Sequence, residues 1–192
     1  MTNDQSQNVV RVRDRTFRPF ITDAEIRTMV HTMAQQIDHD YAGREILLLV
    51  ILKGAMVFAS DLMRQLTIPL TVDTLRASSY RDAMRSSGSI DVEDIMPDVT
   101  DKHVLIVEDI IDSGNTIKEL IKRLGSYQPA SIGIASLLSK PDVHGRELQI
   151  DYVGREIGRE FVVGYGLDYA GYGRHLDAIW VVNPITDNES DT

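Results

Sequence analysis

The sequence predicts an α/β domain in which helices flank a twisted, mainly parallel sheet. Short apolar runs with the length of buried strands alternate along the chain with segments whose apolar residues recur at helical spacing. The length of 192 residues suits one domain, and a composition of 43% hydrophobic and 26% charged residues can fill a core. Because this alternation is typical of parallel sheets, we expect ligands to bind at the carboxyl ends of the strands.

The first predicted helix begins after Thr22. Thr22 and Glu25 match a capping box, in which two side chains satisfy backbone amides at the start of a helix. The apolar residues that then follow at helical spacing are Ile26, Met29, Val30, Met33 and Ile37. The apolar run Ile46–Leu52 predicts a buried strand, and residues 55–66 predict a second helix.

The remaining elements continue this alternation. Residues 70–75 predict a strand, and the polar residues 78–89 predict a long loop of the kind that often forms a lid, with a returning strand at about 89–92. Further predicted elements are a helix at 115–124 and strands at 103–107, 130–138, 161–163 and 178–182. The polar tails 1–8 and 187–192 are expected to be disordered.

Charge and composition argue against several classes of protein. A net charge of −9 disfavours binding to nucleic acid, whose phosphate backbone attracts basic surface. The absence of cysteine excludes disulfides and thiolate catalysis. We find no run of about 18 apolar residues for a membrane span and no secretory signal, so we expect a cytoplasmic protein.

Two sets of basic residues stand out. The four arginines near the start of the chain are interpreted as a solvated face or a subunit contact, and they are Arg11, Arg13, Arg15 and Arg18. The five histidines show no metal-binding spacing, so we interpret them as surface or capping residues, and they are His31, His39, His103, His144 and His175.

The most informative segment lies at 104–117, where an apolar strand is followed by acids and by a small polar turn that opens a helix. Exposed amides at a helix N-terminus bind anions, and the hydroxyls of Ser113 and Thr116 add donors. Gly114 lets the backbone approach a phosphate without an intervening Cβ. The turn that we expect to bind a phosphate comprises Ser113, Gly114, Asn115 and Thr116.

Two acids, Glu108 and Asp109, stand between this strand and the turn. Ionised carboxylates only accept hydrogen bonds, so they suit sugar hydroxyls better than phosphate. With Asp112 directly before the turn, the segment can hold a ribose phosphate from both ends. Two isolated acids would ordinarily be a solvated strand end, but the complete pattern favours ligand binding. The other phosphate motifs, G-x-x-x-x-G-K-[ST] and G-x-G-x-x-G after a strand, are absent.

The residues Val-Glu-Asp-Ile-Ile-Asp-Ser-Gly at 107–114 resemble the signature of the type I phosphoribosyltransferases, and in particular of their hypoxanthine-guanine branch. Several further motifs match in order over about residues 46–182. The resemblance implies the type I phosphoribosyltransferase fold, with a small hood formed by the N- and C-terminal segments. The expected boundaries are a single domain at 1–192, a core at about 22–150 and a hood from about 9–20 and 151–185.

The resemblance also implies which residues bind the leaving group. Lys53 and Gly54 look like the pyrophosphate-binding loop, whose Lys-Gly peptide can be cis in the family. Arg174 corresponds to an arginine that contacts pyrophosphate, a ligand that suits its fork of donors. Ser79 and Tyr80 match the flexible lid, which excludes water from the reacting sugar.

Other matching residues are expected to bind the base. Lys140 is similar to the lysine that donates to the purine 6-oxo group, and such a donor selects 6-oxopurines over adenine. By resemblance, Phe161 stacks on the base, the Val162 backbone pairs with the purine edge, and Asp168 serves a Mg²⁺ ion or its waters. Gly158-Arg159 departs from the Pro-Asp often found there, which affects only the expected shape of that turn.

The implied reaction joins hypoxanthine or guanine to 5-phosphoribosyl 1-pyrophosphate and gives IMP or GMP and pyrophosphate. The expected Mg²⁺ ligands are Glu108, Asp109 and Asp168, and Asp112 is the expected general base for the proton on purine N7. Family members usually form homodimers or homotetramers. Two alternatives stay open: a nucleotide-sensing regulator on the same fold, and a phosphoribosyltransferase for xanthine or another base.

Overall fold

The computed structural model describes residues 9–76, 96–145 and 147–184. Within them, five parallel strands form the larger of two sheets, in the order β4-β3-β5-β6-β7. These strands are β3 (Ile46–Leu52), β4 (Leu70–Arg76), β5 (His103–Ile111), β6 (Ser131–Ser139) and β7 (Tyr152–Glu156). The predicted parallel sheet is therefore confirmed.

Helices cover both faces of the larger sheet. α1 (Asp23–Asp40) and α2 (Met56–Met63) pack on one face and share a core with the inner residues of β3 and β5. α3 (Asn115–Gly125) packs on the other face through Ile117, Leu120 and Leu124. Because β3 and β5 are covered on both sides, they read as continuous apolar runs, as is usual in parallel sheets.

The capping box at the start of α1 is confirmed. The Thr22 amide donates to Glu25 Oε2 at 2.8 Å, and the Glu25 amide donates to Thr22 Oγ1 at 3.3 Å. The buried residues of α1 follow the predicted stripe and are Ile26, Val30, Met33, Ala34 and Ile37. Here local sequence alone determines where the helix begins.

The second sheet is small and antiparallel, and we call it the hood. Its strands, in spatial order, are β1 (Val10–Val12), β2 (Arg15–Ile21), β9 (Ile179–Val182) and β8 (Val162–Val163). A separate small core of Val12, Phe17 and Val163 supports it. The hood thus joins the two ends of the described chain, as the resemblance implied.

The structure differs from the sequence interpretation at three elements. β7 lies in the larger sheet, whereas 151–185 had been placed in the hood; only Tyr152 of β7 is buried, so this edge strand has no apolar run. β5 continues to Ile111, so the two acids lie within a strand and not after it. A short helix, α4 (Pro141–His144), was not predicted.

Some predictions concern residues outside the described part of the chain. These are the loop at 78–89, the returning strand at 89–92, and the tails 1–8 and 187–192. Among the described residues, none of the helices is both long and apolar enough to cross a membrane.

The central position of β5 generates a stability prediction. Val104 of β5 is 0% exposed, whereas Val72 of the edge strand β4 is 46% exposed. We expect Val104→Ala to lower the free energy of unfolding by about 2 kcal/mol, because it removes buried methyl groups and leaves a cavity. The matched control Val72→Ala should change it by less than about 0.5 kcal/mol. Chemical denaturation measures both, and equal effects would contradict the proposed burial of β5.

Candidate active site

The carboxyl ends of β3, β5 and β6 meet at one edge of the larger sheet. β3 ends at Leu52, β5 at Ile111 and β6 at Ser139, and in the parallel register Ile111 lies beside Ser139. Each strand is followed directly by residues singled out from the sequence: Lys53, Asp112 and Lys140. The fold therefore brings three separate motifs to one site, as expected for a parallel sheet.

The turn at 113–116, which we call the phosphate turn, opens α3. Gly114 is the N-cap of α3 and has a left-handed backbone with a φ of 71°, a conformation that favours glycine. In the described structure neither a side-chain cap nor an acidic residue occupies the first turn of α3, so its amides face outward without a local acceptor. This is the usual arrangement at an anion-binding helix N-terminus.

The acids Glu108 and Asp109 lie on β5 beside the β3 loop. Asp109 is buried, and its Oδ1 accepts a hydrogen bond from the Ile110 amide at 3.0 Å. Its carboxylate lies so close to Gly54 that a Cβ at residue 54 would collide with it. Glycine at this position is therefore a steric requirement of the site.

Burial raises the pKa of both carboxyls, and for Glu108 the increase is large. The Asp109 charge adds to the rise at Glu108, whereas hydrogen bonds and Arg174 oppose the rise at Asp109. Glu108 Oε2 is buried and has no hydrogen-bond partner among the described residues. A buried carboxylate oxygen without a partner suits a cation or a hydroxyl ligand.

The loop after β3 contains a cis peptide bond between Leu52 and Lys53. The resemblance left open whether the next peptide, between Lys53 and Gly54, is cis, and the cis bond lies one residue before it. The motif identifies the loop but does not specify which of its peptides is cis. Gly166 packs against this loop, since a Cβ there would collide with the Gly54 carbonyl oxygen.

Lys140 and Asp112 contact each other directly. Lys140 Nζ lies 3.2 Å from Asp112 Oδ2, and the Lys140 side chain is 8% exposed while that of Asp112 is 46% exposed. The Lys140 amide donates to the Ile111 carbonyl at 2.9 Å, which fixes the lysine backbone against the end of β5. The expected base-binding lysine and the expected general base thus lie side by side.

Asp168 and Arg174 form a second charged pair. Arg174 Nη2 lies 2.5 Å from Asp168 Oδ1, and Arg174 Nη1 donates to the Gly166 carbonyl at 2.6 Å. In the described part of the chain, no three acidic or histidine side chains are close enough together to hold a metal. The role of Asp168 in binding Mg²⁺, expected together with Glu108 and Asp109, therefore stays a prediction.

Phe161 lies at the base of the hood in an aromatic cluster. Its ring centroid is 5.7 Å from that of Tyr169 in an edge-on arrangement and 6.4 Å from that of Phe17. The Phe161 carbonyl accepts from the Val182 amide at 2.9 Å, and Val162 pairs with Val181 in the hood. Phe161 and Val162 are thus hydrogen-bonded within the hood, while the Val162 side chain packs in the core shared with the larger sheet.

The contacts that support this aromatic cluster were not predicted from the sequence. The Arg15 guanidinium lies 5.2 Å from the Tyr169 ring centroid, Arg13 lies 5.2 Å from that of Tyr172, and Tyr169 donates to Asp14 at 3.2 Å. Two of the four N-terminal arginines therefore stack on aromatic rings of their own chain. The sequence carries no signal for this pairing, because the partners are far apart along the chain.

The remaining predicted residues fall into three groups. Ser113, Asn115 and Thr116 lie in the phosphate turn, as described above. Ser79 and Tyr80, the expected lid, lie outside the described residues. His144 was interpreted as a surface or capping residue, but this was wrong: it is buried beside Ser139, because the unpredicted helix α4 turns it inward.

The chain is similar to known proteins over most of its length. Residues 22–170 match the family described as phosphoribosyl transferase domain. The hypoxanthine phosphoribosyltransferase of Salmonella typhimurium is 40% identical over 164 residues, covering 84% of this chain and 92% of that protein. The hypoxanthine-guanine phosphoribosyltransferase of Mycobacterium tuberculosis is 37% identical over 171 residues, covering 85% of each.

The fold comparison agrees. The crystal structure of a hypoxanthine-guanine phosphoribosyltransferase from Bacillus anthracis superimposes with a TM-score of 0.79 at 36% identity, covering 86% of this chain and 96% of that one. A hypoxanthine phosphoribosyltransferase structure from Staphylococcus aureus gives a TM-score of 0.80 at 32% identity and covers 96% of this chain. The parallel sheet, the strand-end site and these matches together show that the chain belongs to the phosphoribosyltransferase family.

Proposed function

We propose that this chain transfers a 5-phosphoribosyl group from 5-phosphoribosyl 1-pyrophosphate to N9 of hypoxanthine or guanine, giving IMP or GMP and pyrophosphate in purine salvage. The observation that carries this proposal is the contact between Lys140 and Asp112 directly beside the phosphate turn. A donor for a 6-oxo group, a carboxylate acceptor and an anion site thus share one edge of the sheet. Relatives with these names cover most of the chain.

The phosphoribosyl group would lie along the end of β5. The amides and hydroxyls of the phosphate turn hold the 5-phosphate, and Glu108 and Asp109 accept from the ribose hydroxyls. Holding the sugar at both ends converts two reactants into one oriented complex. The buried, unpartnered Glu108 Oε2 supports this role.

Mg²⁺ is the cofactor that these residues fit. Magnesium is commonly bound through one or two carboxylates together with substrate phosphates, and Glu108 and Asp109 supply such oxygens. Asp168, which is paired with Arg174, would serve the ion or its waters. When bound, the ion neutralises charge on the pyrophosphate leaving group. Lys53, the Gly54 backbone and Arg174 bind the pyrophosphate itself.

The base would lie between Lys140 and the hood. Lys140 Nζ donates to the 6-oxo group, the Phe161 ring stacks on the purine, and the Val162 backbone pairs with the purine edge. Adenine carries an amino group at this position, which cannot accept from an ammonium. Asp112 takes the proton from purine N7 and is close to Lys140 and partly exposed, so a bound base can reach both side chains.

We also propose that Ser79 and Tyr80 close over the site and exclude water from the reacting sugar. The active form is a homodimer or homotetramer in the cytoplasm, with no nucleic-acid or membrane partner. The net charge of −9 supports this last point. Size-exclusion chromatography with light scattering measures the oligomeric state.

A panel of bases tests the proposed reaction against its alternatives. Pyrophosphate release is measured with 5-phosphoribosyl 1-pyrophosphate, Mg²⁺ and each of hypoxanthine, guanine, xanthine, adenine and uracil. Turnover with hypoxanthine or guanine supports the proposal, and turnover with xanthine or uracil alone identifies a different transferase. Nucleotide binding without turnover of any base identifies a regulator on the same fold.

Substitution of the general base gives a sharper prediction. Asp112→Asn should lower kcat by roughly 10²–10⁴-fold, because an amide cannot accept the N7 proton. Binding of IMP, measured by calorimetry, should change much less. The control Asp101→Asn affects an exposed acid at the amino end of β5, on the opposite edge of the sheet, and should leave kcat unchanged. Normal turnover in Asp112→Asn would rule out this assignment.

The close approach of Gly54 to Asp109 gives another prediction. Gly54→Ala places a Cβ against the Asp109 carboxylate and forces it to move. We expect kcat/KM for 5-phosphoribosyl 1-pyrophosphate to fall on the order of 10²-fold, as when a binding group is misplaced by about 1 Å. Gly125→Ala is the matched control, because nothing lies within 4 Å of its added Cβ. Equal kinetics for the two variants would contradict the proposed role of Asp109.

A further inference from the structure

Ser139 and His144 form a buried polar pair behind the proposed base site. Ser139 is 2% exposed and His144 is 8% exposed, and Ser139 Oγ lies 2.9 Å from His144 Nε2. Neither side chain has been given a role so far. Ser139 is the last residue of β6, and His144 is the last residue of α4, so the contact links the two ends of a short connection.

The partners of the imidazole determine the direction of both hydrogen bonds. His144 Nδ1 lies 2.5 Å from the Gly145 carbonyl oxygen, which can only accept, so Nδ1 carries a hydrogen and donates. In the neutral ring Nε2 is then an acceptor, and the Ser139 hydroxyl donates to it. The imidazole is therefore fixed in one orientation by two neighbours.

The pair closes a loop around Lys140. Residues 139–145, which we call the lysine turn, begin at Ser139 and pass through Lys140 into α4. The Lys140 carbonyl accepts from the Val143 amide at 2.9 Å and from the His144 amide at 3.2 Å. The bond between Ser139 and His144 thus joins the residues on either side of Lys140 and fixes the backbone from which its side chain extends.

His144 also lies against the phosphate turn. A Cβ at Gly114 would be 3.3 Å from His144 Cβ and 2.7 Å from a methyl carbon of Leu148. His144 therefore touches the N-cap residue of α3 from behind. The atom that lies near Gly114 is the His144 Cβ, whereas the imidazole ring itself is directed to Ser139 and the Gly145 carbonyl.

A cavity of about 310 Å³ lies on the far side of the pair, and its lining includes Ser139, His144, Leu148 and Glu156. Ser139 and His144 thus border this open space, and the bond between them closes the lysine turn there. Removal of the imidazole would enlarge the cavity and free the turn to move. The bond between Ser139 and His144 adds to the restraint that the Lys140 amide already receives from the Ile111 carbonyl and that the Asp142 carbonyl receives from Arg159.

We infer that Ser139 and His144 are positioning residues, which hold Lys140 beside Asp112. This inference rests on the proposed function. It assigns neither residue to the reacting atoms. It predicts that the pair sets the affinity for the base, with little effect on the affinity for the phosphoribosyl substrate.

Steady-state kinetics of four variants test the inference. Ser139→Ala should raise KM for hypoxanthine about tenfold, equivalent to about 1.4 kcal/mol, with little change in KM for 5-phosphoribosyl 1-pyrophosphate. His144→Ala should raise KM for hypoxanthine by a similar factor, because it removes the same hydrogen bond, and should change KM for 5-phosphoribosyl 1-pyrophosphate little, because it keeps the Cβ that lies near Gly114. His144→Gln places an amide oxygen near the former Nε2 and should restore KM for hypoxanthine to within about threefold of wild type. Val143→Ala, at a residue of α4 that is 39% exposed, is the control and should change neither value.

A merely structural pair would behave differently. It would lower the melting temperature of the variants but leave KM for hypoxanthine unchanged in the folded fraction. An unchanged KM in Ser139→Ala, or an equal rise in Val143→Ala, therefore overturns the inference. If His144→Ala does not fold, Ser139→Ala and His144→Gln decide the question. Wild-type turnover is measured first, so that an inactive wild type contradicts the proposed function, and an active wild type with unchanged variants contradicts only this inference.

Discussion

The site depends on the parallel register of three strands. β3, β5 and β6 run in the same direction, so the loops that follow them must meet at one edge of the sheet. Lys53, Asp112 and Lys140 come from three distant parts of the sequence and are brought together only by this register. Since β5 lies between the other two and is apolar on both faces, its burial fixes the spacing of all three loops.

Two carboxyls interrupt the apolar pattern of this central strand. Burial of Glu108 and Asp109 raises the pKa of each, which means that the protein environment opposes their ionised forms. The free-energy cost of ionising these carboxyls decreases when a cation or a set of hydroxyls replaces the lost water. Ligand binding is therefore favoured, because it relieves the unfavourable burial of the two carboxylates. A sugar phosphate bound together with an ion would have this effect. The closeness of Gly54 to Asp109 shows how little room the arrangement leaves.

Most of the architecture could be predicted from the sequence because it depends on local signals. The Thr22 capping box, the run Ile46–Leu52 and the phosphate turn each carry their own pattern within a few residues. The features that were missed depend on tertiary contacts. β7 has only one buried residue and becomes a strand by pairing with β6. His144 is buried only because α4 turns back on Ser139, and neither fact has a periodic signature.

The hood can form only after nearly all of the described chain has been synthesised. β2 near the start of the chain pairs with β9 near the end of the described residues, with Phe17 beside Val182. During synthesis the parallel sheet has all its strands once residue 156 has emerged, but β2 must wait for β9. The half of the site that would bind the sugar phosphate is therefore available earlier than the half that contains Phe161. Lys140 also belongs to this earlier part, so the proposed stacking of the base on Phe161 is the contact that depends on closure of the hood.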